Sequence, residues 1–345
     1  MRSELGRIAA IVVNWRAADL TSRAVASLEA QTDLDGRSLE VVIVDNGSGD
    51  GSATVLADRH PLHRLVALER NGGFGAGVNA GVRAVDADVY VLLNNDAVAA
   101  PGFVHALVGA LESAPRAGAV SARILLRDRY ARVSDGASVG GALSAADGTS
   151  WAPSFAGHRL VNSTGNEMTS SGNGRDRDWL VPADDLTRPA GEVAGFSGGA
   201  SALRATALSS VGLFDETLFM YYEDTELSWR LRAAGWSILY EPAAEAVHLH
   251  AASTGTASDS FLYYNERNRL IVSTRIAPPA VAARAWLRSM GAVPKGLLRR
   301  DGGAARRVRA LGAAARVLPA TLRSRRALSS KAVVPRRDLA RWIAG

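Results

Sequence analysis

Glu223, Asp224 and Glu226 lie within four positions, directly after Phe219-Met220-Tyr221-Tyr222 and just before Trp229-Arg230. Carboxylates crowded against apolar surface repel one another and lose hydration, which raises proton affinity and suits one of them to accept a proton from a reacting group. Asp224 is the candidate general base and Glu223 the alternative. The same spacing also fits a helix start, with the acids complementing the dipole and Glu226 paired to Arg230 one turn on.

Those carboxylates need elements to hold them. Residues 8–13 and 39–44 are continuous runs rich in Val and Ile, the pattern of strands covered on both faces. Between them, Leu20, Ala24 and Leu28 keep helical spacing over residues 19–31. Residues 65–68 and 89–93 form a third and fourth strand, the third followed by a glycine-rich turn and a helix. Strands alternating with helices imply a largely parallel sheet, in which ligands bind beyond the carboxyl ends of the strands. Each of the four strands runs into a polar residue there: Asn14, Asp45, Asn71 and Asp96. Residues 128–192, rich in Gly, Ser, Asn and Asp, predict irregular structure with a strand or two. Regular structure resumes near Val193, with a short helix over 205–213, a longer one over 224–234, and a strand over 237–240 leading toward His248.

The 345 residues allow one large domain or a domain with an appendage. No apolar run approaches the roughly 18 residues of a membrane span, and residues 8–13 are too short for a signal-peptide core, so a cytosolic protein is expected. Zero cysteines exclude thiolate metal sites and cysteine nucleophiles. The net charge of +6 is unevenly spread: from Val281 onward 16 Lys and Arg face only Asp301 and Asp338, leaving −8 for the remainder. The division predicted is therefore a catalytic domain over 1–275 and a basic, amphipathic helical tail over 276–345.

Five motifs in order carry a resemblance to the inverting family 2 glycosyltransferases of GT-A fold, especially the rhamnosyltransferase-like members. They are Val13-Asn14, Val44-Asp45-Asn46-Gly47-Ser48, the run from Asn71 through Gly75 and Asn79 to Gly81, Leu93-Asn94-Asn95-Asp96, and Phe214-Asp215-Glu216 through Asp224. The resemblance covers roughly residues 7–275. It implies an α/β GT-A fold, Rossmann-like, with a mixed, mostly parallel central sheet that binds a pyrimidine nucleotide diphosphate sugar, either dTDP- or UDP-linked. Asp45 would read the ring N–H of the base; an Asx-turn with Asn46 and Gly47 is the lesser alternative, and the two roles are compatible. Val13, Asn14, Asn71, Gly75, Asn79, Asn94, Asn95 and Asp96 would line the donor. Asp96 stands where many GT-A enzymes carry Asp-x-Asp, and with His248 would hold Mg²⁺ or Mn²⁺. His250 is the less favoured ligand, His248 standing five residues before Ser253-Thr254 as in related sequences. Gly198, Gly199, Trp229, Arg267 and Asn268 fall on the acceptor side. The implied reaction is a single displacement with inversion, plausible donors including dTDP-L-rhamnose, and a cell-envelope or lipid-linked glycan as acceptor.

Two other readings stay open on the residues alone. Gly75-Ala76-Gly77-Val78-Asn79-Ala80 satisfies the dinucleotide pattern G-x-G-x-x-A, with Asp96 near the answering acid's spacing, as in a nicotinamide-dependent oxidoreductase. The fingerprint normally follows the first strand, whereas two strands precede this one. The basic tail could signal nucleic acid, but its charge sits outside any recognisable nucleic-acid-binding motif. In the tail, Trp286, Leu287, Met290, Val293 and Leu297 share a helical side among basic residues, a pattern suited to peripheral contact with an anionic membrane or to a hairpin packed on the catalytic domain.

Overall fold

The computed structural model describes residues 5–133, 140–145, 147–248, 258–299 and 303–344. The chain begins with three strand–helix units: β1 (Arg7–Asn14), α1 (Ala18–Glu29), β2 (Ser38–Asp45), α2 (Ser52–Arg59), β3 (Arg64–Ala67), α3 (Phe74–Ala84), and then β4 (Val89–Leu93). β1 lies parallel between β2 and β4, and β3 forms an edge beside β2. The alternation of side chains across β1 explains why this run is apolar throughout. Ile8, Ala10 and Val12 enter one core with Leu28 of α1, while Ala9 and Ile11 enter the other with Val78 of α3.

Next come β5 (Ala97–Ala99), α4 (Phe103–Ser113) and the long β6 (Ala117–Val133). The following segment holds β7 (Leu143–Ser144), β8 (Ser150–Pro153), β9 (His158–Ser163), β10 (Asn166–Thr169), β11 (Gly174–Asp176) and β12 (Gly191–Glu192). This corrects the expectation of irregular structure over 128–192. The strands are two to six residues long and carry few apolar residues, so no alternation was available to announce them; pairing with β6, with one another and, for β12, with the strand over Ser237–His248 creates them.

β13 (Ala200–Arg204) inserts antiparallel between β4 and β6, followed by α5 (Ala205–Val211), α6 (Glu223–Ala233) and β14 (Ser237–His248), which runs parallel to β6. The last strand extends eight residues beyond the predicted run. The sheet order is β12-β14-β6-β13-β4-β1-β2-β3, mixed and largely parallel as expected.

Three helices follow: α7 (Asp259–Ile276), α8 (Pro279–Arg299) and α9 (Gly303–Lys331), then α10 (Arg336–Leu339) and β15 (Ile343–Ala344). Residue 275 falls in the last turn of α7, yet one core joins both sides of that point. Met168 of β10 and Tyr222 and Trp229 at α6 pack with Leu270 and Ile271 of α7, Ala285 of α8, Ala314 of α9 and Leu339 of α10. The terminal carbonyls of α7 are capped from the tail: Arg325 Nη1 donates to Thr274 O and Ala277 O at 2.7 and 2.8 Å, and Arg336 to Arg275 O at 3.2 Å. Cations at a helix C-terminus satisfy orphan carbonyls and oppose the dipole. β15 closes the arrangement by pairing with β10. Among the described residues, no helix is long and apolar enough to cross a membrane.

Candidate active site

A cleft of about 490 Å³ opens at the carboxyl ends of β1 and β4, within the size range of small-molecule sites. Val13, Asn71, Asn94, Asn95, Asp96, Gly198, Gly199, Glu223, Asp224 and His248 all line it. Sequence-distant residues thus converge on one hollow.

Register brings His248 to Asp96. β14 pairs antiparallel with β5 so that His248 faces Ala97, one residue beyond Asp96. His248 Nε2 then lies 2.9 Å from Asp96 Oδ1, and Nδ1 lies 2.7 Å from Asn162 Oδ1. An amide oxygen can only accept, so Nδ1 carries the hydrogen and Nε2 presents its lone pair to the carboxylate. Two acceptors at that distance require a cation between them, a proton or a metal ion. One imidazole nitrogen plus one carboxylate, oriented by an outer hydrogen bond, is a fitting partial donor set for a divalent cation that completes its shell with phosphate and water.

The three clustered carboxylates divide in two. Glu226 turns away from the cleft: it is 1% exposed and accepts from Arg230 Nε at 2.7 Å and from Arg275 Nη1 at 3.2 Å. The helix-start interpretation therefore holds for Glu226. Asp224 faces the cleft with Oδ2 accepting from Gly198 N at 3.0 Å and Oδ1 from Thr225 N at 2.6 Å. Burial raises its pKa, opposed by these bonds and one from Asn166. Glu223 also lines the cleft, but its Oε2 has no hydrogen-bond partner, and burial reinforced by the Asp224 charge pushes its carboxyl up to about 8.

The turn leading into α6 holds Phe219, Tyr221 and Tyr222 at φ of 67°, 69° and 72°, a conformation that L side chains avoid. Asn268, fully buried, clamps this turn by donating to Leu218 O, Met220 O and Tyr221 O at 2.8–2.9 Å. Arg267 donates to Thr217 O at 3.0 Å. Neither residue lines the cleft, and Trp229 of α6, 3% exposed, packs into the core shared with α7. The three residues expected on the acceptor side support the loop that presents Glu223 and Asp224.

Asn14, Asp45, Gly75 and Asn79 also stand behind the lining. The Asp45 carboxylate accepts from Asn14 Nδ2 at 2.7 Å, Ser48 Oγ at 2.6 Å and Ser48 N at 3.1 Å, so it braces its own loop through Ser48, three residues on. Asn79 donates to Phe214 O and accepts from Phe214 N, fastening that segment to α3. The glycine run is explained by packing: a Cβ on Gly77 would lie 2.5 Å from Val13 Cγ1, and one on Gly73, at φ 88°, 1.9 Å from Phe219 O. Gly75 packs beneath Phe214. These contacts account for the pattern that also suited an oxidoreductase.

Several lining residues carried no sequence signal. Asn162, Asn166, Arg175 and Asp176 come from β9 to β11, the segment expected to be irregular, and Trp15 and Phe261 frame other parts of the wall. Asp176 lines the cleft and stays open to solvent. Only strand pairing could reveal this group. His250, Ser253 and Thr254 lie outside the described residues.

The model described as glycosyl transferase family 2 matches residues 9–133. N-acetylglucosaminyl-diphospho-decaprenol L-rhamnosyltransferase of Mycobacterium tuberculosis (strain ATCC 25618 / H37Rv) is 32% identical over 277 residues, covering 76% of this chain and 82% of the relative. Among solved structures, GalNAc-T7 with UDP, GalNAc and Mn²⁺ superposes with a TM-score of 0.58 at 14% identity, covering 80% of this chain and 49% of that one. The mannosyltransferase PcManGT from Pyrobaculum calidifontis, in complex with GDP-Man and Mn²⁺, gives 0.50 at 18% identity, covering 94% and 80%. The fold is that of the GT-A glycosyltransferases. The chain belongs to glycosyl transferase family 2 and is a rhamnosyltransferase-like enzyme of that family; nothing in these comparisons supports the oxidoreductase alternative.

Proposed function

We propose that the protein transfers a deoxyhexose, L-rhamnose from dTDP-rhamnose, with inversion to a hydroxyl of a lipid-linked cell-envelope glycan. The observation that carries this reading is the meeting of Asp96, His248 and Asp224 in one cleft of a chain 32% identical to an N-acetylglucosaminyl-diphospho-decaprenol L-rhamnosyltransferase. Asp96 and His248 would hold Mg²⁺ or Mn²⁺, which offsets charge on the departing nucleotide diphosphate when bound. Asp224, with both oxygens already fixed by N–H donors, takes the acceptor proton as the new glycosidic bond forms. Glu223, carrying its own proton near neutrality, donates rather than accepts. Trp15, at the cleft mouth beside the Asn14–Asp45–Ser48 network, offers a face to the nucleobase, with Asp45 behind it.

Membrane contact belongs to the same reading. On α8, Leu287, Met290, Leu297 and Leu298 are 64%, 49%, 65% and 85% exposed and follow one side of the helix, while Arg284, Arg288 and Lys295 run along its edge. Cationic residues beside an exposed apolar stripe suit the headgroup layer of an anionic bilayer. Asp259 of α7 pairs with Arg309 of α9 at 2.7 Å, and Phe261 lines the cleft two residues on, so the helical unit borders the site where a lipid-linked acceptor would enter.

The test is a panel of nucleotide sugars with a short-chain polyprenyl-diphosphate-linked N-acetylglucosamine acceptor, with Mg²⁺, Mn²⁺ or chelator. Expected is dTDP release and an added rhamnose only with dTDP-rhamnose and a divalent cation. Transfer from a different nucleotide sugar would replace the donor assignment, and full activity in chelator would remove the metal.

A further inference from the structure

Glu29 ends α1, His60 caps α2, and His63 precedes β3. Both helices run back from the carboxyl ends of the strands, so these residues gather at the opposite end of the sheet from the cleft. Glu29 Oε1 lies 2.7 Å from His63 Nε2 and 3.6 Å from His60 Nδ1, and the three ligand atoms all fall within 4.8 Å of one another. The His60 side chain is only 9% exposed, and its Nε2 has no hydrogen-bond partner. A nearly buried imidazole without a good bond on either nitrogen is costly. One carboxylate oxygen cannot serve both rings well.

We propose that Glu29, His60 and His63 form a metal site for a divalent transition cation of the zinc class. A tetrahedral zinc ion with ligands at about 2.0–2.1 Å sets neighbouring ligand atoms about 3.4 Å apart, so side-chain adjustments of an ångström or so suffice. The turn is prepared for this: Pro61 restricts the backbone, His63 N donates to His60 O at 3.1 Å, and the two rings stand 6.1 Å apart at 24°. Two imidazoles and one carboxylate select zinc, cobalt or nickel over magnesium or manganese, whereas phosphate oxygens with Asp96 and His248 suit the harder ions. Water fills the fourth position from the exposed side, where Leu62 is 95% exposed. The bound ion ties the end of α1 to the entry of the edge strand β3, which stabilises that edge and stands apart from the transfer reaction.

The full chain, stripped with chelator and kept in saturating Mg²⁺, is titrated with Zn²⁺ by calorimetry, alongside H63Q, H60Q and E29Q. Expected is one more tight zinc equivalent in the wild type than in H63Q or H60Q, a loss of affinity of about tenfold or more in E29Q, and a zinc-dependent rise in Tm of about 2 °C or more only in the wild type. Co²⁺ should give a visible tetrahedral absorption that H63Q abolishes. Equal zinc stoichiometry in wild type and H63Q overturns the site. So does an equal Tm gain from mild acidification in chelator, because protonated imidazoles would then account for the cluster. H63Q changes a partly exposed residue, and an unchanged circular dichroism spectrum with intact Mn²⁺-dependent nucleotide binding verifies that only this site is altered.

Discussion

Neighbouring carboxylates at the start of α6 differ in what holds them, and that difference divides their roles. Asp224 receives backbone N–H donors on both oxygens, whereas Glu223 has one oxygen without a partner and a pKa near 8. Asp224→Asn should retain nucleotide affinity but lose turnover by about 10²–10⁴-fold, measured as nucleoside diphosphate release. Unchanged turnover would end its assignment as base. Glu223→Gln, which mimics the protonated acid, should keep most activity at pH 7. It should also alter the pH dependence of stability. Between the unfolded pKa near 4.5 and the folded value near 8, the native state holds the proton and the unfolded chain does not, so wild-type stability falls as pH rises through that window. Denaturation midpoints of the Gln variant at pH 5 and 8 should differ less than those of the wild type. At the other end of the cleft, Asp96→Ala and Asn162→Leu should both weaken Mn²⁺-dependent nucleotide binding, the second by about tenfold, because Asn162 sets which nitrogen of His248 is free. A nucleotide titration with and without Mn²⁺ reads both.

At the scale of elements, the decisive piece is the turn between α5 and α6. Three non-glycine residues at positive φ cost of order 1–3 kcal/mol each and persist only where their surroundings enforce them. Asn268 of α7 supplies that enforcement through three carbonyls, while Gly73 lets α3 approach close enough for Phe74 N to donate to Phe219 O at 2.9 Å. Asn268→Ala should therefore cost about 1–3 kcal/mol by chemical denaturation and depress turnover more than donor affinity, since the turn presents Asp224. Equal loss of both, or of neither, would remove the turn from the mechanism. The strands β9 to β11 form the facing wall. Asp176→Asn on β11 should raise the KM for acceptor and leave nucleotide binding unchanged if that wall receives the incoming sugar.

Across the whole molecule, the basic helices share a core with α6 and cap α7, so they are structural parts of the unit that carries the cleft. Truncation after residue 275 uncovers Leu270, Ile271 and Val272, each 3% exposed or less, and should yield an unstable or aggregating protein. The membrane reading needs gentler changes. Leu297→Glu with Leu298→Glu should leave Tm unchanged while abolishing flotation with anionic phosphatidylglycerol vesicles. Retained flotation would remove the α8 stripe as the docking face.

Much of this was legible in order along the chain. Apolar runs marked β1, β2 and β4 because strands buried on both faces must be apolar at every position, and Asn94-Asn95-Asp96 and Glu223-Asp224 stood out as polar clusters beside apolar runs, which the fold brings to the lining of one cleft. The strands between 143 and 192 were not legible, since segments so short and polar exist only when a neighbour supplies their hydrogen bonds. Nor could residue type separate Glu226, sealed against Arg230 and Arg275, from Asp224 one helical half-turn away. By itself the sequence determined which groups could react and which strands carry them. Tertiary structure alone decided which of them face one another, because contacts such as His248 with Asp96 and Asn162 span 152 and 86 residues and arise from sheet register, to which local spacing is blind.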